Sequence, residues 1–259
     1  MMKVIYHPYF TDHDYSSDPA AERGRIQCIL DELEDKPDID FCRPKTAERE
    51  EIELVHSPEH VQSIKQRSAK LYEMAGLSAG GALTAAKFAH EGSPTFAVIR
   101  PPGHHASPES NWGFCYFNNM AVAIKNLKDQ GKIKSAFIMD FDLHTGDGNI
   151  NCLGDDDDMK IVNPRSDSRT KYIEKVERHL ETSEGYDILG VSAGFDLHIN
   201  DWGGTLETKD YNLLGKMLRD FSKDKCQGRR FAILEGGYNH EVLGKNVSNF
   251  IDGFSDRLY

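Results

Sequence analysis

The amino-acid sequence predicts an α/β fold, with a predominantly parallel β-sheet flanked by helices on both faces. Short apolar, β-branched segments alternate with longer helical patterns along the chain, and this alternation is typical of a parallel sheet. The short segments are nearly continuous apolar runs, as expected for strands buried on both faces. The chain has 259 residues and neither an internal repeat nor a low-complexity linker, so we expect a single domain over residues 1–259.

Six segments are predicted as strands because they are short, apolar and rich in β-branched or aromatic residues. In chain order they are residues 4–6, 96–100, 136–140, 160–162, 188–192 and 231–234. Seven further segments show helical periodicity or helical start signals. They are residues 20–34, 57–68, 82–90, 118–129, 170–181, 208–222 and 241–251. The second helix begins with Ser57 followed by Pro58, an N-cap residue and a proline at the first helical position.

The composition argues against several classes of protein. The 31 Lys and Arg residues against 42 Asp and Glu residues give a formal net charge of −11, and such a chain repels nucleic-acid phosphates. No run of about 18 apolar residues is present to cross a membrane, and the apolar start is too short for a signal peptide. The five cysteines form no CxxC pair, which favours reduced thiols. We therefore expect a cytoplasmic protein with no direct nucleic-acid or membrane partner.

Four of the predicted strands lead directly into segments rich in glycine, histidine and carboxylates. These segments are RPPGHHA at 100–106, DFDLHTGDG at 140–148, SAGFD at 192–196 and EGGY at 235–238. Ligands of parallel α/β sheets bind beyond the carboxyl ends of the strands. We therefore expect the four segments to form one functional site.

Asp142, His144 and Asp196 are candidate metal ligands. Side chains two residues apart in a strand point the same way, so Asp142 and His144 can bind one cation if the strand continues to His144. Asp196, from another strand end, supplies a third ligand, and three ligands leave the open position typical of a catalytic site. On these residues alone, a local Asp142–His144 hydrogen bond with Asp196 capping a turn is the favoured alternative.

The adjacent histidines His104 and His105 are candidates for acid–base chemistry, because imidazoles titrate near neutral pH. Asp140 and Asp147 flank the candidate ligands and are placed to accept a proton from one imidazole each, which would fix its tautomer. A turn held by histidine hydrogen bonds is the alternative, although packing does not explain adjacent histidines after a Pro-Pro-Gly turn. The Tyr238 hydroxyl is a candidate for polarising a carbonyl, with an ordinary half-buried tyrosine as the alternative.

Together, these segments resemble the histone deacetylase family, which includes bacterial acetylpolyamine amidohydrolases. The motifs that carry the resemblance arrive in the family's order along most of the chain. They are YHP at 6–8, VHSPEHV at 55–61, RPPGHHA at 100–106, GFCYFNN at 113–119, DFDLHTGDG at 140–148, SAGFD at 192–196 and EGGYN at 235–239. The resemblance implies the arginase/deacetylase fold and a zinc-type amidohydrolase that converts an N-acetylated amine to acetate and free amine.

The resemblance also implies which residues bind metal ions. Asp142, His144 and Asp196 correspond to the zinc ligands, and Fe²⁺ or Co²⁺ would also suit these donors. A structural potassium ion is expected near the backbone carbonyls of Asp140, Asp142 and His144.

By the same resemblance, His104 and His105 are the catalytic pair. Asp140 is expected to partner His104, and Asp147 is expected to partner His105. Tyr238 is expected to polarise the substrate carbonyl.

Three further positions are implied around the substrate. Gly113 and Phe114 are expected to form one wall of a substrate tunnel. Arg25 falls where the family keeps an arginine below the pocket, although the residues around it depart from the usual pattern.

Two features of this chain depart from the family pattern. Thr145 stands where a histidine usually follows the ligand histidine, and we expect it to tune activity rather than abolish it. The segment between Val162 and Tyr172 is much shorter than in the family, where it normally supplies the opposing tunnel wall and part of the potassium environment. We therefore expect a wider and wetter pocket, with Arg165 and Arg169 either lining its mouth or simply solvated.

Two other functions stay open on the sequence. An arginase-like ureohydrolase with two metals needs a second aspartate two residues after Asp196, and this chain has His198 there. A catalytically inactive acyl-amine binding protein has no need for a complete set of ligands, histidines and tyrosine. The sequence does not choose between acetyl-lysine, an acetylpolyamine and another acetylated amine as substrate, and it predicts no oligomeric state.

Overall fold

The computed structural model describes residues 1–256, and seven strands in this range form one sheet. The strands are β1 Met2–Ile5, β2 Ile39–Cys42, β3 Thr95–Ala97, β4 Ala136–Asp140, β5 Met159–Val162, β6 Ile188–Ala193 and β7 Arg230–Leu234. All neighbouring strands run parallel, in the order β2-β1-β3-β7-β6-β4-β5. The predicted α/β fold with a parallel sheet is confirmed.

Ten α-helices surround the sheet within the described range. They are α1 Tyr9–Asp12, α2 Gly24–Leu33, α3 Arg49–Glu53, α4 Pro58–Arg67, α5 Ala69–His90, α6 Asn119–Asp129, α7 Asp147–Leu153, α8 Arg169–Glu181, α9 Thr208–Lys225 and α10 His240–Phe254. On one face of the sheet, Phe250 of α10 contacts Phe96 of β3. On the other face, Met120 of α6 lies against Gly190 of β6. No helix within residues 1–256 is both long enough and apolar enough to span a membrane.

The structure differs from the prediction in several places, which include three short helices, α1, α3 and α7, that the sequence did not reveal. The sequence does not reveal β2, because this short edge strand is only partly buried. The predicted helix at 82–90 is the end of the longer α5, whose glycines lower helical propensity. One of them is required by packing, since a Cβ on Gly81 would lie 2.5 Å from Ile99 Cγ2. The predicted strand at 136–140 is confirmed as β4. Asp142 and His144 therefore lie in a loop, and the condition of a strand continued to His144 is not met.

The order of the strands brings the four polar segments together. The strands that precede these segments, β3, β7, β6 and β4, are neighbours at the centre of the sheet. Because all four run parallel, their carboxyl ends meet at the same edge. The histidine pair follows β3, Tyr238 follows β7, Asp196 follows β6, and Asp142 and His144 follow β4.

Candidate active site

The three predicted metal ligands form a cluster at this edge. The ligand atoms of Asp142, His144 and Asp196 all lie within 4.8 Å of one another. His144 Nδ1 lies 3.3 Å from Asp142 Oδ1 and 3.4 Å from Asp196 Oδ2. Two donors on one tetrahedral zinc, with bonds of about 2.0–2.1 Å, would be about 3.3 Å apart. The spacing and the nitrogen–oxygen donor set therefore fit zinc.

Backbone N–H groups hold both carboxylates in place. Asp142 Oδ2 accepts a hydrogen bond from the Gly236 N–H at 2.8 Å. Asp196 Oδ1 accepts one from the Leu143 N–H at 2.9 Å, whereas Asp196 Oδ2 is buried without a hydrogen-bond partner among the described residues. A Cβ on Gly236 would lie 2.5 Å from Asp142 Oδ2 and 2.6 Å from Asp196 Oδ2. Only glycine at this position leaves room for the two carboxylates, and the unpartnered oxygen is available to bind a cation.

The two buried carboxylates of the cluster repel each other. Burial and the negative charge of Asp142 raise the pKa of Asp196 to about 6. Burial alone would raise the pKa of Asp142 as well, but the charge of His104 and hydrogen bonds from His144 hold it below its usual value. The adjacent carboxylates of Asp142 and Asp196 raise the pKa of His144 to about 9. A divalent cation would relieve the repulsion between the two buried carboxylates.

Each of the two adjacent histidines faces its own aspartate. His104 Nδ1 lies 3.1 Å from Asp140 Oδ2, and His105 Nδ1 lies 2.6 Å from Asp147 Oδ1. Because Nδ1 is engaged in both rings, Nε2 is the nitrogen left for the site. His104 Nε2 lies 3.7 Å from Asp142 Oδ1, so the histidine pair adjoins the candidate ligands.

The two histidines differ in their electrostatic environment. Burial disfavours a cationic His104, but Asp142 and Asp140 outweigh this effect and raise its pKa well above the usual value. For His105, burial and the positive charge of His104 lower the pKa to about 4, although Asp147 acts in the opposite direction. The pair therefore combines a neutral imidazole, which is able to accept a proton, with a cationic one.

Tyr238 stands beside the metal cluster on the segment that follows β7. Its backbone N–H donates to Asp201 Oδ2 at 2.8 Å, and its ring stacks on Trp202 with 4.0 Å between centroids. Arg25 lies beneath the ring at 5.1 Å and donates to the carbonyls of Gly237 and Glu235. Burial and the nearby carboxylates raise the pKa of Tyr238 well above its usual value, so the hydroxyl stays protonated and is able to donate a hydrogen bond.

Gly113 and Phe114 lie beside the histidine pair and Tyr238. Both residues have left-handed backbone angles, with φ of +59° and +66°, and this conformation is costly for a phenylalanine. A side chain on Gly113 would collide with the ring of His105. The ring of Phe114 meets the ring of Tyr238 edge-on at 6.2 Å. The strained backbone thus brings an aromatic side chain close to Tyr238.

Sequence reasoning missed two exposed tryptophans at the site. Trp112 and Trp202 are each 53% exposed. The Trp112 ring lies 3.8 Å from the ring of His105, and its Nε1 donates to Asp147 Oδ2 at 2.8 Å. The Trp202 ring lies 6.2 Å from the ring of His144, in addition to its contact with Tyr238. Trp112 directly precedes the GFCYFNN motif and Trp202 lies six residues after the SAGFD motif. These positions were the available signal, because neither residue belongs to a periodic pattern.

Glu235 is a third residue whose contribution the sequence did not reveal. Its fully buried carboxyl accepts hydrogen bonds from the backbone N–H groups of Gly103 and His104, at 2.7 and 3.2 Å. Burial raises the pKa of Glu235 to about 7. This carboxyl ties the end of β7 to the loop that carries the histidine pair. A charged residue directly after a buried strand was the signal for it.

His198 occupies the position that distinguishes the site from a binuclear one. Its Nε2 lies 3.2 Å from Thr208 Oγ1, and its Nδ1 accepts the Asn200 N–H at 3.1 Å. Both ring nitrogens are therefore engaged away from the cluster of Asp142 and Asp196. This arrangement favours a single metal.

The surroundings of Asp142 do not match the expected potassium site. Its backbone carbonyl accepts a hydrogen bond from Arg165 Nη1 at 3.1 Å, and a guanidinium in contact with this oxygen repels a second cation there. The residues present therefore do not fit a potassium ion at Asp142.

The second arginine of the shortened segment, Arg169, pairs with Asp210 through two hydrogen bonds of 2.6 and 2.5 Å. Both arginines are therefore engaged by neighbouring groups, and the Arg169 side chain is still 41% exposed.

Comparison with known proteins identifies the class to which the chain belongs. Residues 20–164 and 163–254 match the family model described as the histone deacetylase domain. The chain belongs to the histone deacetylase family. This membership supports a deacetylase, and therefore a hydrolase, as the class of enzyme.

Individual relatives agree with this family. The chain is 28% identical to a probable deacetylase of Archaeoglobus fulgidus, over 92% of this chain and 81% of that protein. It is 27% identical to a probable deacetylase of Methanothermobacter thermautotrophicus, over 100% of this chain and 92% of that protein. The crystal structure of the HDA15 HD domain superimposes with a TM-score of 0.85 at 22% identity, covering 98% of this chain and 90% of that one. This last match shows the fold alone.

Proposed function

We propose that the protein is a zinc-dependent deacetylase that hydrolyses an N-acetylated amine to acetate and free amine. One observation carries the proposal: a cluster of Asp142, His144 and Asp196 adjoins two histidine–aspartate pairs at the carboxyl end of the sheet. We further propose that residues 1–259 act as one catalytic domain in the cytoplasm.

The three clustered side chains would hold the metal. When bound, zinc supplies Lewis-acid polarisation of the amide carbonyl and of the attacking water. The side chain of His144 is 39% exposed, so the cluster is open to substrate on that side. Fe²⁺ and Co²⁺ suit the same donors and are the alternatives to test.

The two histidines have different roles in the proposed reaction. His105, neutral and held by Asp147 through Nδ1, accepts the proton of the attacking water at Nε2. His104, cationic beside Asp140, stabilises the negative charge that develops in the transition state. The pair then delivers a proton to the departing amine nitrogen, which leaves as the free amine.

Tyr238 and the aromatic side chains would orient the substrate. The Tyr238 hydroxyl donates a hydrogen bond to the amide oxygen as negative charge develops on it. The stem of the amine would pass between Phe114 and Trp202, which approach the Tyr238 ring edge-on and by stacking. Trp112 lies against the His105 ring and donates a hydrogen bond to Asp147, the partner of His105.

Metal content measured together with acetate release tests the proposal. The purified chain should bind one zinc and release acetate from an N-acetyl-lysine peptide or an acetylated polyamine, and a chelator should abolish both. Two tightly bound metals with urea release would favour the ureohydrolase. Bound zinc without turnover of any acetylated amine would favour the binding protein.

Substituting one candidate ligand distinguishes a specific metal site from an effect of the overall negative charge of the protein. Asp196→Ala should lose most of the bound zinc and the activity. Asp129→Ala, which removes an exposed carboxylate at the end of α6, should retain both. Stoichiometric, tight zinc in Asp196→Ala would remove Asp196 from the ligand set.

A further inference from the structure

The short segment between β5 and α8 reaches back to the loop that carries two of the candidate ligands. Arg165 Nη1 donates to the backbone carbonyl of Asp142 at 3.1 Å. Arg165 Nε donates to Thr145 Oγ1 at 3.2 Å. Two residues earlier, Asn163 Oδ1 accepts the Gly146 N–H at 2.8 Å. One charged and one neutral side chain thus connect the segment to the ligand loop, residues 141–146 between β4 and α7.

The charge of Arg165 is directed at this loop and not at a carboxylate partner. Its Nη2 is buried and has no hydrogen-bond partner in the part of the chain that the structure describes. Its other two nitrogens meet a carbonyl and a hydroxyl, both neutral. Arg169, four residues on, forms instead a two-pronged ion pair with Asp210. Arg165 is therefore a positive charge that the fold places against the backbone of a metal-ligand residue.

The buried carboxylates in and around the ligand loop favour a positive charge beside it. Asp140, Asp142 and Asp196 are each at most 1% exposed, and the backbone carbonyl of Asp142 adds the negative end of a dipole. Thr145 matches Arg165 directly, because its hydroxyl accepts the Nε–H. The two positions at which this chain departs from its family, Thr145 and the shortened segment, thus meet in one hydrogen bond.

We propose that the Arg165 guanidinium serves as a built-in monovalent cation of the ligand loop, so that the protein needs no potassium ion at Asp142. Arg165 is a positioning residue: it acts on the metal through the backbone of Asp142. This inference rests on the proposed zinc site, but it concerns how the loop is held and not which amide is hydrolysed.

The experiment compares K⁺ with Na⁺ at equal ionic strength. Two readouts are measured on the full chain: zinc affinity, by competition with a chromophoric chelator, and melting temperature. The variants are Arg165→Ala, which bares the Asp142 carbonyl, and Arg165→Lys, which keeps the charge. Arg178→Ala removes an exposed arginine of α8 and serves as the matched control.

We expect the native protein and Arg178→Ala to have the same zinc affinity and melting temperature in both salts. Arg165→Ala in Na⁺ should bind zinc about 10–100-fold more weakly, the usual effect of losing a group that orients a metal ligand. K⁺ should restore part of this loss, and Arg165→Lys should lose less than Arg165→Ala in Na⁺.

Three results would overturn the inference. The first is a saturable rise in zinc affinity or melting temperature of the native protein with K⁺ but not with Na⁺. The second is unchanged zinc affinity in Arg165→Ala, and the third is a loss that K⁺ does not repair. A native protein that hydrolyses no acetylated amine would refute the proposed function instead, because the melting temperatures in the two salts report on Arg165 without turnover.

Discussion

The dependence of activity on the length of the substrate stem reports directly on the walls of the site. Burying one methylene contributes about 0.8 kcal/mol, which corresponds to about a fourfold rise in kcat/KM for each added carbon in a closed tunnel. Phe114 is half-buried, and Trp202 is 53% exposed, with one face stacked on Tyr238. A stem between these two rings is open to water at its sides. If half of the burial is lost, we expect about a twofold rise per methylene.

The assay measures kcat/KM for N-acetylated linear amines that differ by one methylene. Trp202→Ala removes one of the two rings, and we expect the slope against stem length to fall towards zero. Trp202→Phe keeps a ring at the same place and should retain most of the slope. Leu213→Ala removes an exposed apolar side chain of α9 and should leave the slope unchanged.

The slope, rather than the absolute rate, is the informative quantity, because Trp202 also supports Tyr238 and its loss will lower kcat for every substrate. A fourfold rise per methylene in the native protein would show a complete tunnel and refute the idea of an open wall. An unchanged slope in Trp202→Ala would show that the stem does not contact this ring.

Two further predictions concern the chemistry and the stability of the fold. Tyr238→Phe should lower kcat by about 10²–10³-fold with zinc retained; unchanged kcat under chemistry-limited turnover would exclude the role of the hydroxyl. His56 is buried, with Nδ1 near the Ser107 carbonyl and Nε2 accepting the Asn118 N–H, and burial with the nearby His60 lowers its pKa to about 4. The unfolded chain, with a histidine pKa near 6.5, binds this proton more readily than the folded protein. The contribution of His56 to the free energy of unfolding is therefore fully present above about pH 6.5, and roughly 3 kcal/mol is lost as the pH drops towards 4. Urea unfolding across this pH range should show a loss that is smaller by about this amount in His56→Gln than in the native protein, and parallel profiles would contradict it.

The core of the fold was predictable because burial leaves a strong trace in the sequence. Strands such as β4 and β6 are covered on both faces and therefore read as apolar runs. The convergence of the polar segments followed from parallel topology, since the carboxyl ends of parallel strands share one edge. The predicted end of β4 at Asp140 is confirmed. The condition that the strand continues to His144 is not met, because the chain turns after Asp140 and backbone N–H groups reach the carboxylates of Asp140 and Asp142.

The rim of the site was not predictable in the same way. Trp202 and Arg165 lie in loops, where no periodicity constrains the residue type and where the partner is distant in sequence. The length of α5 was hidden for a different reason. Gly80 and Gly81 lower helix propensity, yet the helix persists because these glycines allow close contact with Lys45 and Ile99. In each case tertiary contacts, which a single sequence does not display, decided the outcome.

The burial of carboxyl groups at one edge of the sheet bears on the choice between an enzyme and an inactive binding protein. Asp140, Asp142, Asp196 and Glu235 are all at most 1% exposed, and each buried charge costs several kcal/mol even after relaxation of its surroundings. A pocket that only held a neutral acetylated amine would be more stable with apolar side chains at these positions. Clusters of buried acids with pKa values moved in opposite directions, as for Asp142 and Asp196, are instead characteristic of catalytic centres. The stability lost at this edge is therefore best explained by chemistry performed there.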